Sequence, residues 1–140
     1  KYYFADDYFY SFLKTIDSAI LLAYHENEIT SGSLCTYCNS IMQAHLNATS
    51  NRYLQASPLK LVLDAARKKG MEKKMSWLHL GGGRASTDDS LFQFKSRFSH
   101  EHFSFRMWKY IHNREAYREL LYAKYGETPP ESSFFPLYRG

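Results

Sequence analysis

Apolar residues at Phe9, Phe12, Leu13 and Ile16 follow the i, i+3, i+4, i+7 spacing of a helix that Asp6 and Asp7 open. The period then shortens. An apolar run at 19–25, a polar turn at Glu26-Asn27-Glu28, a run at 29–37, a turn at Asn39-Ser40 and a run at 41–49 predict three antiparallel strands in a meander. The helical period returns after Ser57, which predicts an N-cap, with Pro58 at the first helical position. Leu59, Val62, Leu63 and Ala66 make the buried stripe, basic residues fill the last turn, and Gly70 is the expected stop. A strand at 75–80 follows, so strand 41–49, this helix and strand 75–80 form a β-α-β crossover with a parallel pair.

Beyond it the pattern predicts a helix over 88–98, a strand over 102–111 and a helix over 114–125. The last carries Ala116, Leu120, Leu121 and Lys124 as neighbours and ends at Gly126. Thr128-Pro129-Pro130 makes a stiff loop, and no internal repeat or low-complexity segment interrupts the chain. A meander, one crossover and further helices and strands predict a mixed α+β fold in one domain spanning 1–140.

The most informative stretch is 77–98. A short apolar run ends in Gly81-Gly82-Gly83, and glycine's entropic cost makes three in a row a sign of close backbone approach or left-handed angles. Thr87-Asp88-Asp89 then opens an element bearing Leu91, Phe92 and Phe98 with Lys95 and Arg97. Strand, glycine turn and cation-bearing helix start make a junction suited to anions or reacting groups.

Composition narrows the classes. The 140 residues suffice for a real core, with 44% hydrophobic and 23% charged residues. Aromatics reach 17%, which fits a ring-rich core or a ring-lined groove. The net charge of +4 favours an anionic partner without resembling a nucleic-acid arm. Much of it sits in Arg67-Lys68-Lys69 and Lys73-Lys74, where basic residues complementing a helix C-terminus explain it without a ligand. Cys35 and Cys38 are a single Cys-x-x-Cys in a strand-like run, whose members point to opposite faces; they read as small core residues of a reduced, cytoplasmic protein. His100 and His102 lack a carboxylate at ligand spacing, so no metal site is expected. No apolar run approaches a transmembrane span and no signal peptide is visible; the start at Lys1 suggests a piece of a longer chain.

Antiparallel strands, a helix begun by Ser57-Pro58, a strand ending His79-Leu80-Gly81-Gly82-Gly83, and Phe94-Lys95-Ser96-Arg97-Phe98 together resemble the FemAB-like branch of the GNAT acyltransferase superfamily. The likeness covers essentially the whole chain and corresponds to the C-terminal GNAT domain of longer two-domain proteins, so an N-terminal GNAT domain would be its partner. It implies transfer of an acyl or aminoacyl group from acyl-CoA or aminoacyl-tRNA to an amine or hydroxyl, with a small molecule, cell-envelope sugar or peptide as acceptor. It implies no covalently bound cofactor. In such folds the donor lies where the crossover strands splay, and its pyrophosphate meets the start of the crossover helix. Here that start reads Asn51-Arg52-Tyr53-Leu54-Gln55-Ala56-Ser57-Pro58, without the glycines of CoA-binding members and with one N–H lost to Pro58.

Acyl transfer needs a base for the acceptor, donors aimed at the oxyanion and an acid for the leaving group. By the resemblance Lys95 takes the charged role; otherwise it is a solvated helix lysine. Gly81, Gly82 and Gly83 would let a substrate approach the backbone, or simply make a tight turn. Arg52 and Lys60, flanking Ser57, would bind phosphate, against plain surface charge. Tyr53 and Tyr110 are candidate proton donors. His79 alternates with Leu78 and Leu80 and would face the cleft as a base, or serve as a hydrogen-bonded structural histidine. Three functions compete: a transferase, a non-catalytic GNAT module that binds an acceptor or supports a partner domain, and an RNA-binding module suggested by rings and basic charge. No RGG run or RNP-like strand motif supports the last.

Overall fold

The meander and the crossover form one four-stranded mixed sheet in the order β1-β2-β3-β4. The computed structural model describes residues 4–83, 88–132 and 134–139. Thr87, read with Asp88 and Asp89 as a helix opening, lies outside them. The chain divides into two compact units, Lys1–Glu101 and His102–Gly140.

In the first unit, α1 (Asp6–Thr15) precedes β1 (Ser18–His25), β2 (Glu28–Cys38) and β3 (Ile41–Thr49), with β1–β2 and β2–β3 both paired antiparallel. The predicted turns close these hairpins, with Glu26, Asn27, Asn39 and Ser40 at positive φ. A 3₁₀ helix (Asn51–Ala56) leads into α2 (Leu59–Glu72), and β4 (Trp77–His79) returns parallel to β3. α3 (Ser90–Ser96) completes the unit. The mixed α+β class and the parallel crossover pair are as expected, with β4 and α3 shorter than predicted.

The core lies between the sheet and α2. Cys35 and Tyr37 of β2, Met42 and Ala44 of β3, and Val62, Leu63 and Ala66 of α2 are buried, and Ala19, Leu21, Met75 and Leu78 pack around them. Burying Val62 and Leu63 contributes about 1.5–3 kcal/mol each, so packing rather than charge holds α2 on the sheet. The basic cluster on its outer side is spent in solvent: Arg67 and Lys68 each lie 2.9 Å from Asp64, Lys69 lies 3.1 Å from Glu72, and such pairs add little. Only Cys35 is a core cysteine; Cys38, at the strand end on the opposite alternation, is exposed.

Both ends of α2 differ from expectation. Ser57 has φ 51 and ψ 48, which is left-handed and ends the 3₁₀ helix, whereas an N-cap needs extended angles. Pro58 takes the capping position in helical geometry, and no side chain caps this end. At the other end the helix passes through Gly70, whose missing side chain lets Met42 and Met75 approach. Lys74 takes the left-handed position instead (φ 56). Its N–H reaches Met71 O at 3.0 Å and the Met75 N–H reaches Gly70 O at 2.8 Å, a Schellman closure.

In the second unit α4 (Arg114–Tyr125) follows its predicted bounds. Asn113 caps Glu115 N and Ala116 N, and Gly126 ends it with φ 70. A short 3₁₀ helix, Leu137–Arg139, is tied to it by Tyr125 Oη donating to Leu137 O and Leu137 N donating to Tyr117 Oη. The strand predicted over 102–111 is absent: those residues enter no ladder, and Phe105 and Trp108 are 81% and 92% exposed. Apolar composition satisfies a strand's side chains, but its backbone needs a neighbouring strand to bond. No helix among the described residues is long and apolar enough to cross a membrane.

Candidate functional site

The parallel ladder is short. Ile41, Met42 and Gln43 pair with Trp77, Leu78 and His79, and there it stops, while β3 runs on to Thr49 against β2. Just past the last pair, β3 bulges. Leu34 faces Leu46 and Cys35 faces Ala44, so His45 is the extra residue.

A cleft of about 280 Å³ involves the residues just beyond this ladder. Leu46 of β3, Leu59 and Leu63 of α2, Leu80 after β4, and Leu91 and Phe94 of α3 supply its apolar lining. Its polar members are His45, Asn47 and Lys95, and no carboxylate lines it. Such clefts at the carboxyl ends of parallel strands are habitual ligand sites in α/β sheets.

Lys95 arrives on α3, whose start is secured by the Asp89 carboxylate accepting from Phe92 N at 2.9 Å. The Lys95 ammonium donates to Gly82 O at 2.8 Å, which joins the glycine turn to the basic helix. Gly81 stands at φ +74, where a Cβ would lie 3.3 Å from Lys95 Nζ; at Gly82 a Cβ would meet nothing. Gly81 is therefore the glycine this geometry demands. Gly83 is half-buried. Burial pushes the Lys95 pKa down, and the charge of Asp89 opposes that shift. An ammonium has three N–H donors, so one bond to Gly82 leaves others for a developing oxyanion.

His45 is the polar residue the sequence did not single out. Its Nε2 lies 3.1 Å from the Tyr8 hydroxyl, and its ring stacks on Phe12 at 5.1 Å. α1 therefore orients it. The bulge that sets it apart depends on the register of β2 against β3, which no local pattern reveals.

The other candidates lie elsewhere. His79 is exposed and not in the cleft lining. Leu78 packs on the core, so alternation turns His79 the other way. Arg52 is ion-paired to Glu28 at 2.8 Å, and the Tyr53 hydroxyl donates to the same carboxylate at 2.6 Å. The Tyr53 bond first, and then Arg52, lowers the Glu28 pKa; the same bond, accepted by the Glu28 carboxylate, holds the phenol proton and raises the Tyr53 pKa. Ser57 sits in the turn before α2, and Lys60 is exposed on its first turn. Two N–H groups of that turn are already bonded, Lys60 N to Ser57 O and Leu61 N to Pro58 O. Tyr110 belongs to the second unit, 68% exposed. Among the described residues no group of His, Cys, Asp and Glu has the arrangement of a metal site.

Comparison with protein-family models, curated proteins and solved structures found no match for this chain.

Proposed function

We propose that the first unit is an acyltransferase domain of the FemAB-like GNAT kind, moving an acyl or aminoacyl group to an amine or hydroxyl acceptor in the cytoplasm. The observation that carries this reading is the Lys95–Gly82 contact in an apolar cleft past the end of a short parallel ladder. It unites the two sequence pieces on which the resemblance rests.

In this reading the acyl group lies against Leu46, Leu80 and Phe94 with its carbonyl oxygen toward the Lys95 ammonium. The acceptor attacks the carbonyl carbon, and Lys95 stabilises the tetrahedral oxyanion. The His45 imidazole, oriented by Tyr8, takes up the acceptor's proton. It returns the proton to the thiol or hydroxyl that leaves as the old acyl bond breaks.

A second reading, a non-catalytic module that holds an acceptor or supports a partner domain, draws on the approach to α2. Arg52 is committed to Glu28, and Pro58 brings no N–H to that helix start. Thermal unfolding with acetyl-CoA, CoA and a tRNA pool separates the two. A donor at 100 times its dissociation constant stabilises the fold by about 2.7 kcal/mol. One donor is expected to do so, and Lys95→Ala to cut acyl transfer to an amine panel by about 10²–10³. Silence from every donor, or full transfer by Lys95→Ala, overturns the catalytic reading.

A further inference from the structure

The second unit holds a larger cavity, about 630 Å³, built wholly from its own residues. Arg114 and Arg118 of α4 and Lys109 line it, with Tyr110, Tyr117 and Phe135 among its other lining residues. No carboxylate lines it. Tyr117 and Phe135 stack with ring centroids 6.2 Å apart and planes 20° apart, and the Tyr117 hydroxyl is held by Leu137 N at 3.0 Å. These contacts make one wall of the cavity aromatic, with Lys109 Nζ 5.9 Å from the Phe135 ring centroid.

The cations are placed against the interest of the helix. Arg114 and Arg118 stand at i, i+4, where like charges repel, and Arg114 occupies the first helical position, at the positive end of the macrodipole. Among the described residues neither forms an ion pair. A local rule broken twice at one cavity is the mark of a site that serves a ligand rather than the fold.

We propose that this cavity binds a small aromatic anion, a planar ring carrying a phosphate or a carboxylate. The guanidinium forks of Arg114 and Arg118 take the anionic oxygens in paired hydrogen bonds, and the ring lies against the Tyr117–Phe135 wall. Neither feature suffices alone: cations without rings would take any phosphate, and rings without cations any apolar group.

Calorimetric titration of the full chain with phenyl phosphate, benzoate, inorganic phosphate and benzyl alcohol tests this. The two ring anions are expected to bind at least about tenfold more tightly than inorganic phosphate or benzyl alcohol, with NMR shifts at Tyr117 and Phe135. The relative affinities of phenyl phosphate and benzoate name the preferred anion. Arg114→Gln with Arg118→Gln is expected to lose at least about tenfold of that affinity. The same variant without ligand is expected to melt no lower than the parent, because it relieves repulsion; a purely structural pair would lower the melting point. Arg118→Gln alone, remote from the Asn113 cap, carries the test if the double variant loses helical circular dichroism. Inorganic phosphate binding as tightly as phenyl phosphate, benzyl alcohol binding as tightly as either anion, or unchanged affinity in the Gln variants overturns the proposal.

Discussion

At Lys95 burial and function pull in opposite directions. Its folded pKa lies below the ordinary 10.5 because the cleft desolvates the ammonium. Between the folded and unfolded values the unfolded chain holds the extra proton, so stability rises with pH through that window. Below it both states are charged and the cost of burial is fully present. An oxyanion donor must stay protonated, so the alkaline limb of acyl transfer is expected below 10.5. Asp89 raises the Lys95 pKa, so Asp89→Asn should move that limb to still lower pH. Asparagine caps a helix about as well as aspartate, so the fold should stay close to the parent's stability. A pH–rate profile checks both, and a limb unmoved by Asp89→Asn would remove Asp89 from the account. The motif around Lys95 was legible in the sequence; its partner Gly82 O was not, because that contact spans a chain reversal.

At the scale of elements, α2 separates what a stripe of apolar residues dictates from what its ends decide. The buried face Val62, Leu63, Ala66 follows directly from the helical period. The termini do not, since several residues near each end are chemically suited to stop a helix and tertiary contacts choose among them. Lys74 holds the left-handed position that glycine fills without strain, so Lys74→Gly is expected to raise unfolding stability by about 0.5–1 kcal/mol. Gly70 is interior to the helix, with Met42 Sδ 3.4 Å and Met75 Cβ 3.9 Å from a built Cβ. Gly70→Ala should therefore be neutral or stabilising by up to about 1 kcal/mol. Urea denaturation measures both, and a loss of about 1 kcal/mol in Gly70→Ala would restore Gly70 as the terminator. The segment 102–111 teaches the converse: side chains suited to a strand do not make one without a ladder partner.

For the molecule as a whole, every buried core residue among the described residues lies in the Lys1–Glu101 unit. A chain of residues 1–101 is thus expected to unfold in a single cooperative transition by circular dichroism. Residues 102–140 alone should show only marginal helix, because a 12-residue helix such as α4 is too short to hold itself in water. A non-cooperative melt of 1–101 would mean that both units are needed for one folding event. The sequence by itself determined the meander, the crossover, α4 to the residue and the succession of a glycine turn and a basic helix along the chain. All of these rest on periodicity and turn chemistry acting over a few residues. Only the tertiary structure decided that His45 rather than His79 lines the cleft, that Glu28 captures Arg52, and that Arg114 and Arg118 share a cavity with Phe135. Those outcomes depend on strand register and on contacts between residues far apart in the chain, which local pattern does not encode.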